Sequence, residues 1–173
     1  MIKHFFTAAL ATVLAAVPAG AHPGLGLDAG HRAIVQAAYS AGVPTVVDPA
    51  MCEKVDADGF YNGHILGVCL RGRGWDANNL DTLRHEAQHL IQDCIVDGKA
   101  NYDFDGATVF PNPVQAALDN GILTQDQIQK IWVTYAGMGL SEEDILMEVE
   151  AFAVAQGIPA HLIANQIELQ CRA

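Results

Sequence analysis

Positive charge is scarce in this chain: nine Lys and Arg stand against twenty Asp and Glu, for a formal net charge of −11 with neutral His. So few cations cannot neutralise a run of phosphates, which excludes nucleic acid as a partner and disfavours an anionic membrane surface. A cationic peptide or a divalent cation is the kind of partner such a balance attracts. Long apolar runs are missing too: no segment reaches the roughly 20 apolar residues of a membrane span. No stable membrane insertion is therefore expected once the leader described next is removed. No internal repeat, low-complexity tract or Pro-, Gly- or Ser-rich linker divides the chain. No two cysteines sit two residues apart, so the zinc-ribbon spacing is absent.

What is present begins with that leader. Lys3 precedes an apolar stretch from Phe5 to Val17, and Pro18-Ala19-Gly20-Ala21 supplies the small residues of a cleavage site. Residues 1–21 thus read as a secretory signal, and 22–173 as a single exported domain, secreted or periplasmic. Cys52, Cys69, Cys94 and Cys171 all follow the signal. An even count in an exported chain predicts disulfides, and four cysteines allow three pairings. Cys52 with Cys69 would close a local loop, and Cys94 with Cys171 would tie a central helix to the C-terminus; these are the pairings expected.

Apolar periodicity and punctuation give a coarse fold. A helix is predicted over Asp28 to Ala41 with Gly42 as its stop, and Pro44 to Asp48 reads as extended. Phe60-Tyr61 and Ile65 to Leu70 flank Asn62-Gly63, a strong hairpin signal. A helix capped by Asn79 or Asp81 runs through Leu80, Leu83, Ala87, Leu90, Ile91 and Cys94 on one stripe. Further helices are expected over Val114 to Asn120, after the capping box Thr124/Gln127, from Ser141 to Gly157, and from Pro159 onward. The sum is an α+β domain weighted towards helix, with a small antiparallel sheet before the central helix.

That central helix carries His85-Glu86-Ala87-Gln88-His89, the H-E-x-x-H pattern. Two imidazoles four residues apart on a helix point the same way and can share one metal ion, while the glutamate between them is placed to handle a water activated by that ion. Both histidines fall on the face opposite the apolar stripe, where they can be presented to a cleft. A third protein ligand is normal for catalytic zinc, and Met147-Glu148-Val149-Glu150-Ala151 is the best source. Helical spacing leaves Glu148 and Glu150 both open, with His161 or an acid of the central loop as further alternatives.

The stretch from Leu83 to Gln92, with Glu148 to Ala153 downstream, resembles the zincin metallopeptidases and, within them, the gluzincins. That resemblance implies a zincin-like fold, one Zn²⁺ held by His85, His89 and Glu148, and peptide-bond hydrolysis with Glu86 as general base. By the family's pattern Glu148 aligns with the metal ligand, while Phe152 stands where many members carry Asp or Asn. The resemblance also implies a strand at the edge of the cleft that pairs with substrate backbone, for which Ile65 to Leu70 is the candidate. The third histidine of the metzincin extension is missing.

The expected function is that of a secreted zinc-dependent metallopeptidase acting on peptides or proteins. The alternatives are a non-catalytic secreted zinc-binding or interaction domain and a cell-wall amide hydrolase. An oxyanion donor would come from Tyr135, Tyr61 or His64. A second ion, Ca²⁺, is a minor expectation near Asn101, Asp103 and Asp105, where oxygen ligands alternate before Gly106, although Asn112 occupies the twelfth position.

Overall fold

A computed structural model describes residues 26–54, 56–100 and 106–171. The expected signal, residues 1–21, and the calcium-like stretch 101–105 lie outside the described residues. Six α-helices run in the order α1 (Ala29–Ser40), α2 (Ala77–Asp97), α3 (Pro113–Asp119), α4 (Gln125–Gly137), α5 (Glu142–Gly157) and α6 (Ala160–Gln170). Between α1 and α2 come β1 (Thr45–Val47), a 3-10 turn (Ala50–Glu53), β2 (Gly59–Tyr61) and β3 (Leu66–Val68). The α+β, helix-rich expectation holds at that level.

Local chemistry sets the helix ends. Asp28 caps α1 by accepting from the His31 amide, and Thr124/Gln127 and Ser141/Asp144 form capping boxes on α4 and α5. The start of α2 differs from expectation: Asp76, not Asn79 or Asp81, accepts from the Asn79 amide. Asn79 is fully buried, and its own carboxamide donates to the Gly74 carbonyl, so it is drawn inside the helix. At the far end Gly98 adopts φ 85, the left-handed geometry that stops a helix at little cost for glycine.

The sheet is mixed, which corrects the antiparallel expectation. β2 and β3 pair antiparallel around Asn62-Gly63, but β1 joins β3 in parallel, giving the order β1-β3-β2. The strand in Ile65 to Leu70 is therefore central and has no open edge; the edge beside α2 is β2. A glycine permits that approach: a Cβ on Gly59 would fall 2.5 Å from Thr82 Cγ2 and 3.1 Å from Glu86 Cγ.

Two apolar clusters form. The larger joins α1, β3, α2 and α6 through Ile34, Leu66, Leu83, Leu90, Ile163 and Ile167; the smaller joins α3, α4 and α5 through Ala117, Ile128, Ile131 and Val149. Burying each large aliphatic side chain contributes about 1.5–3 kcal/mol. Cys52–Cys69 and Cys94–Cys171 are both bridged, as expected, and both lie in the larger half. Disulfides suit an oxidising compartment, and no described helix is long and apolar enough to cross a membrane.

Candidate metal centre

Helix α2 packs against α1, α6 and the sheet and also against α5, and every residue from His85 to Cys94 is buried. The imidazoles are thus set, largely buried, in the wall of a partly open cleft. Four residues is slightly more than one turn, so the His85 and His89 rings stack edge-on with centroids 4.8 Å apart, and their Nε2 atoms approach to 3.1 Å.

Helix α5 packs across α2 and delivers Glu148 to this pair. Glu148 Oε2 lies 3.3 Å from His85 Nε2, and Oε1 lies 3.5 Å from His89 Nε2. Donor atoms of the three residues all fall within 4.8 Å of one another, so the group could hold a metal ion. The donor set fits one: two imidazole nitrogens and a carboxylate oxygen are the ligand types of a borderline-soft divalent ion. Glu148 Oε2 is moreover a buried oxygen whose approach to His85 is not a well-formed hydrogen bond, and an ion among the three would give it a partner.

The electrostatics agree with a site arranged for positive charge. Burial pushes the Glu148 carboxyl up, but its contacts with His85 and His89 outweigh that and hold it well below the usual carboxylate range. Burial pushes His89 down, yet Glu148 and then Glu86 bring it up to about 9. Glu86 is raised, because desolvation exceeds the opposing pull of His85 and His89. A buried carboxylate of that kind takes up a proton more readily than one in water.

A cavity of about 590 Å³ opens beside the three residues, lined among others by Tyr61, Glu86, Tyr135, Met138 and Phe152. The other sequence candidates separate here. The Tyr61 hydroxyl donates to Asp93 Oδ2 at 2.5 Å and so is engaged away from the cavity. His64 is exposed on the hairpin turn, where its amide donates to Asn62 Oδ1. Tyr135 remains: burial, then the neighbouring Glu148 carboxylate, raises its phenol, which keeps the hydroxyl a donor. His161 is exposed on α6, away from this cavity.

Glu150 is brought elsewhere. Two residues along a helix are about 200° around its axis, and Glu150 turns into the seam between α2, α5 and the chain before α3. It is 1% exposed and accepts from Gln88 Nε2, Gln92 Nε2 and the amides of Val109 and Phe110. Gln88, Gln92 and Asp93 took no part in the expected site, yet all are buried. Polar residues at three and four positions beyond His89 were the available signal, because that spacing returns to the same helix face. Phe152, at the position where the resembled family often has Asp or Asn, packs its ring 4.5 Å from that of His85.

Comparisons with family models, with curated proteins and with solved structures give no match for this chain.

Proposed function

We propose that the chain is a zinc-dependent peptidase, with His85, His89 and Glu148 holding one zinc ion and Glu86 acting as general base. The observation that carries this reading is the convergence of His85 Nε2, His89 Nε2 and the Glu148 carboxylate within 4.8 Å, on the wall of a cavity that Glu86 also lines. Zinc, when bound there, supplies a Lewis acid that acidifies water and polarises a carbonyl.

The chain's own residues account for the remaining work. Glu86 stands one residue from His85, and its burial raises its proton affinity, so it can take a proton from an attacking water and pass it to the leaving amine. Tyr135, protonated and facing the cavity, can donate to the oxygen of the tetrahedral species. Among the described residues β2 has a sheet partner on one side only, β3, and Gly59, Phe60 and Tyr61 line the cavity. An extended peptide can add to that edge by backbone hydrogen bonds. The pairing role expected of Ile65 to Leu70 therefore passes to β2. The acidic balance of the chain favours basic or neutral peptides over acidic ones.

A second reading, a non-catalytic zinc domain, draws on one feature: His85 is backed by the Phe152 ring instead of by a hydrogen-bonding acid. One substitution separates the two. Glu86→Gln is nearly isosteric and removes no proposed ligand, so zinc content should stay near wild type while hydrolysis of an unstructured cationic protein falls about 10²-fold to 10⁴-fold. Equal hydrolysis by the variant would remove Glu86 from the mechanism, and zinc binding without hydrolysis by wild type would establish the second reading.

A further inference from the structure

The seam that buries Glu150 also touches the proposed site at one atom. Gln92 Oε1 lies 2.8 Å from His89 Nδ1, while Gln92 Nε2 lies 2.8 Å from Glu150 Oε2 and 3.0 Å from the Met147 carbonyl oxygen. A backbone carbonyl can only accept, so the Gln92 atom facing Met147 must be the NH₂ group. The oxygen of the same amide then faces His89, and an amide oxygen can only accept. His89 Nδ1 must therefore carry a proton and donate it.

We propose that Gln92, itself held by Glu150 and the Met147 carbonyl, fixes the His89 ring with its proton on Nδ1, so that Nε2 is the nitrogen offered to the ion shared with His85 and Glu148. Gln92 and Glu150 are positioning residues of that site. The inference rests on the zinc reading above and extends it. Outer partners of a metal-binding histidine set both its ring orientation and which nitrogen is free to bind.

The two histidines are supported unequally. His85 Nδ1 is buried and has no hydrogen-bond partner among the described residues, and its ring packs against Phe152. Orientation by hydrogen bonding is thus concentrated on His89 and reaches through Gln92 to Glu150. Glu150 in turn accepts from the Val109 and Phe110 amides at 3.1 and 2.7 Å, and the Ala107 amide donates to the Gln92 carbonyl at 3.1 Å. The segment before α3 is pinned to the same two residues.

The test compares full chains carrying Gln92→Met, Glu150→Gln or Gln88→Met. Gln88 is the control, because its amide also donates to Glu150, at 3.1 Å, whereas the contact with His89 Nδ1 is made by Gln92. Two quantities are read: affinity for zinc by competition with a chelator, and the imidazole N–H signals of the zinc-loaded, ¹⁵N-His-labelled protein. Gln92→Met should weaken zinc binding by about 10-fold to 100-fold and remove the slowly exchanging Nδ1–H signal of His89. Glu150→Gln keeps the volume and should speed exchange of the same proton with a smaller loss of affinity. Gln88→Met should leave both readouts near wild type even where its melting temperature falls as far.

Equal losses in Gln88→Met and Gln92→Met would overturn the proposal, since the effect would then follow stability alone. An unchanged affinity and N–H signal in Gln92→Met would overturn it too, while wild-type zinc binding kept the metal reading standing. If Gln92→Met does not fold, an unaltered His89 signal in Glu150→Gln has the same force. A wild-type chain that takes up no zinc would overturn both readings.

Discussion

The two halves that meet at the cavity are built to different standards. Among the described residues, the half made of α1, the sheet, α2 and α6 supplies seventeen members of the larger buried cluster, joined by Val154 of α5, and holds both disulfides, whereas the cluster of α3, α4 and α5 has six and no disulfide. The histidine pair stands on the braced side, and Glu148 comes from the lighter one. A His-His-Glu group of this kind is complete only when α5 docks on α2, and the buried contacts of Gln92 with Glu150 and the Met147 carbonyl set that docking. An apolar interface tolerates small slips, but a carboxylate surrounded by four donors accepts one register, because each donor left without its acceptor costs about 1–3 kcal/mol.

Breaking the braces should give the largest effect. Removing Cys94–Cys171 as a Ser pair is expected to cost about 4.5 kcal/mol, and removing Cys52–Cys69 about 3 kcal/mol, since the bridges span 77 and 17 residues and loop entropy grows with span. Urea unfolding of the two double variants checks the order. Equal losses would mean that loop span does not set the contribution of each brace.

Core truncations come next. Ile167→Ala, in the larger cluster, should cost about 3–4 kcal/mol, and Ile128→Ala, in the smaller one, about 2 kcal/mol, because a lighter core collapses more readily onto a cavity. Equal penalties would erase the contrast between the halves.

Zinc should narrow that contrast. At a free concentration about 100 times its Kd, one ion bound only by the folded state adds about 2.7 kcal/mol, and the added hydrogen-exchange protection should fall on α5 more than on α1. Glu148→Gln should lose most of that gain, and Glu150→Gln should keep most of it. The smallest effects belong to the caps: Thr124→Ala and Ser141→Ala should each cost about 1 kcal/mol, confined to the lighter half.

Much of this is legible in the sequence, for physical reasons that differ by residue. His85, Glu86 and His89 are neighbours through helical periodicity alone, and the capping boxes and Asn62-Gly63 are equally local. Glu148 and Glu150 could not be separated from sequence, because the group that captures Glu150 is a pair of backbone amides forty residues away, at Val109 and Phe110. The same limit applies to the sheet. Nothing local to Ile65 to Leu70 says that β1 will add in parallel on its far side, and that pairing is what makes β2 the edge. The cap at Asp76 was missed because Asn79 and Asp81 are as good chemically. The choice was made by Asn79, whose carboxamide is drawn inward to the Gly74 carbonyl.

The central claim is that residues from opposite halves, His85 and His89 on α2 and Glu148 on α5, hold one zinc ion between them. Metal analysis of the purified chain, wild type beside His85→Ala, tests it most directly. About one zinc per wild-type chain and almost none in the variant is the expected result; equal zinc content in the two proteins would contradict it.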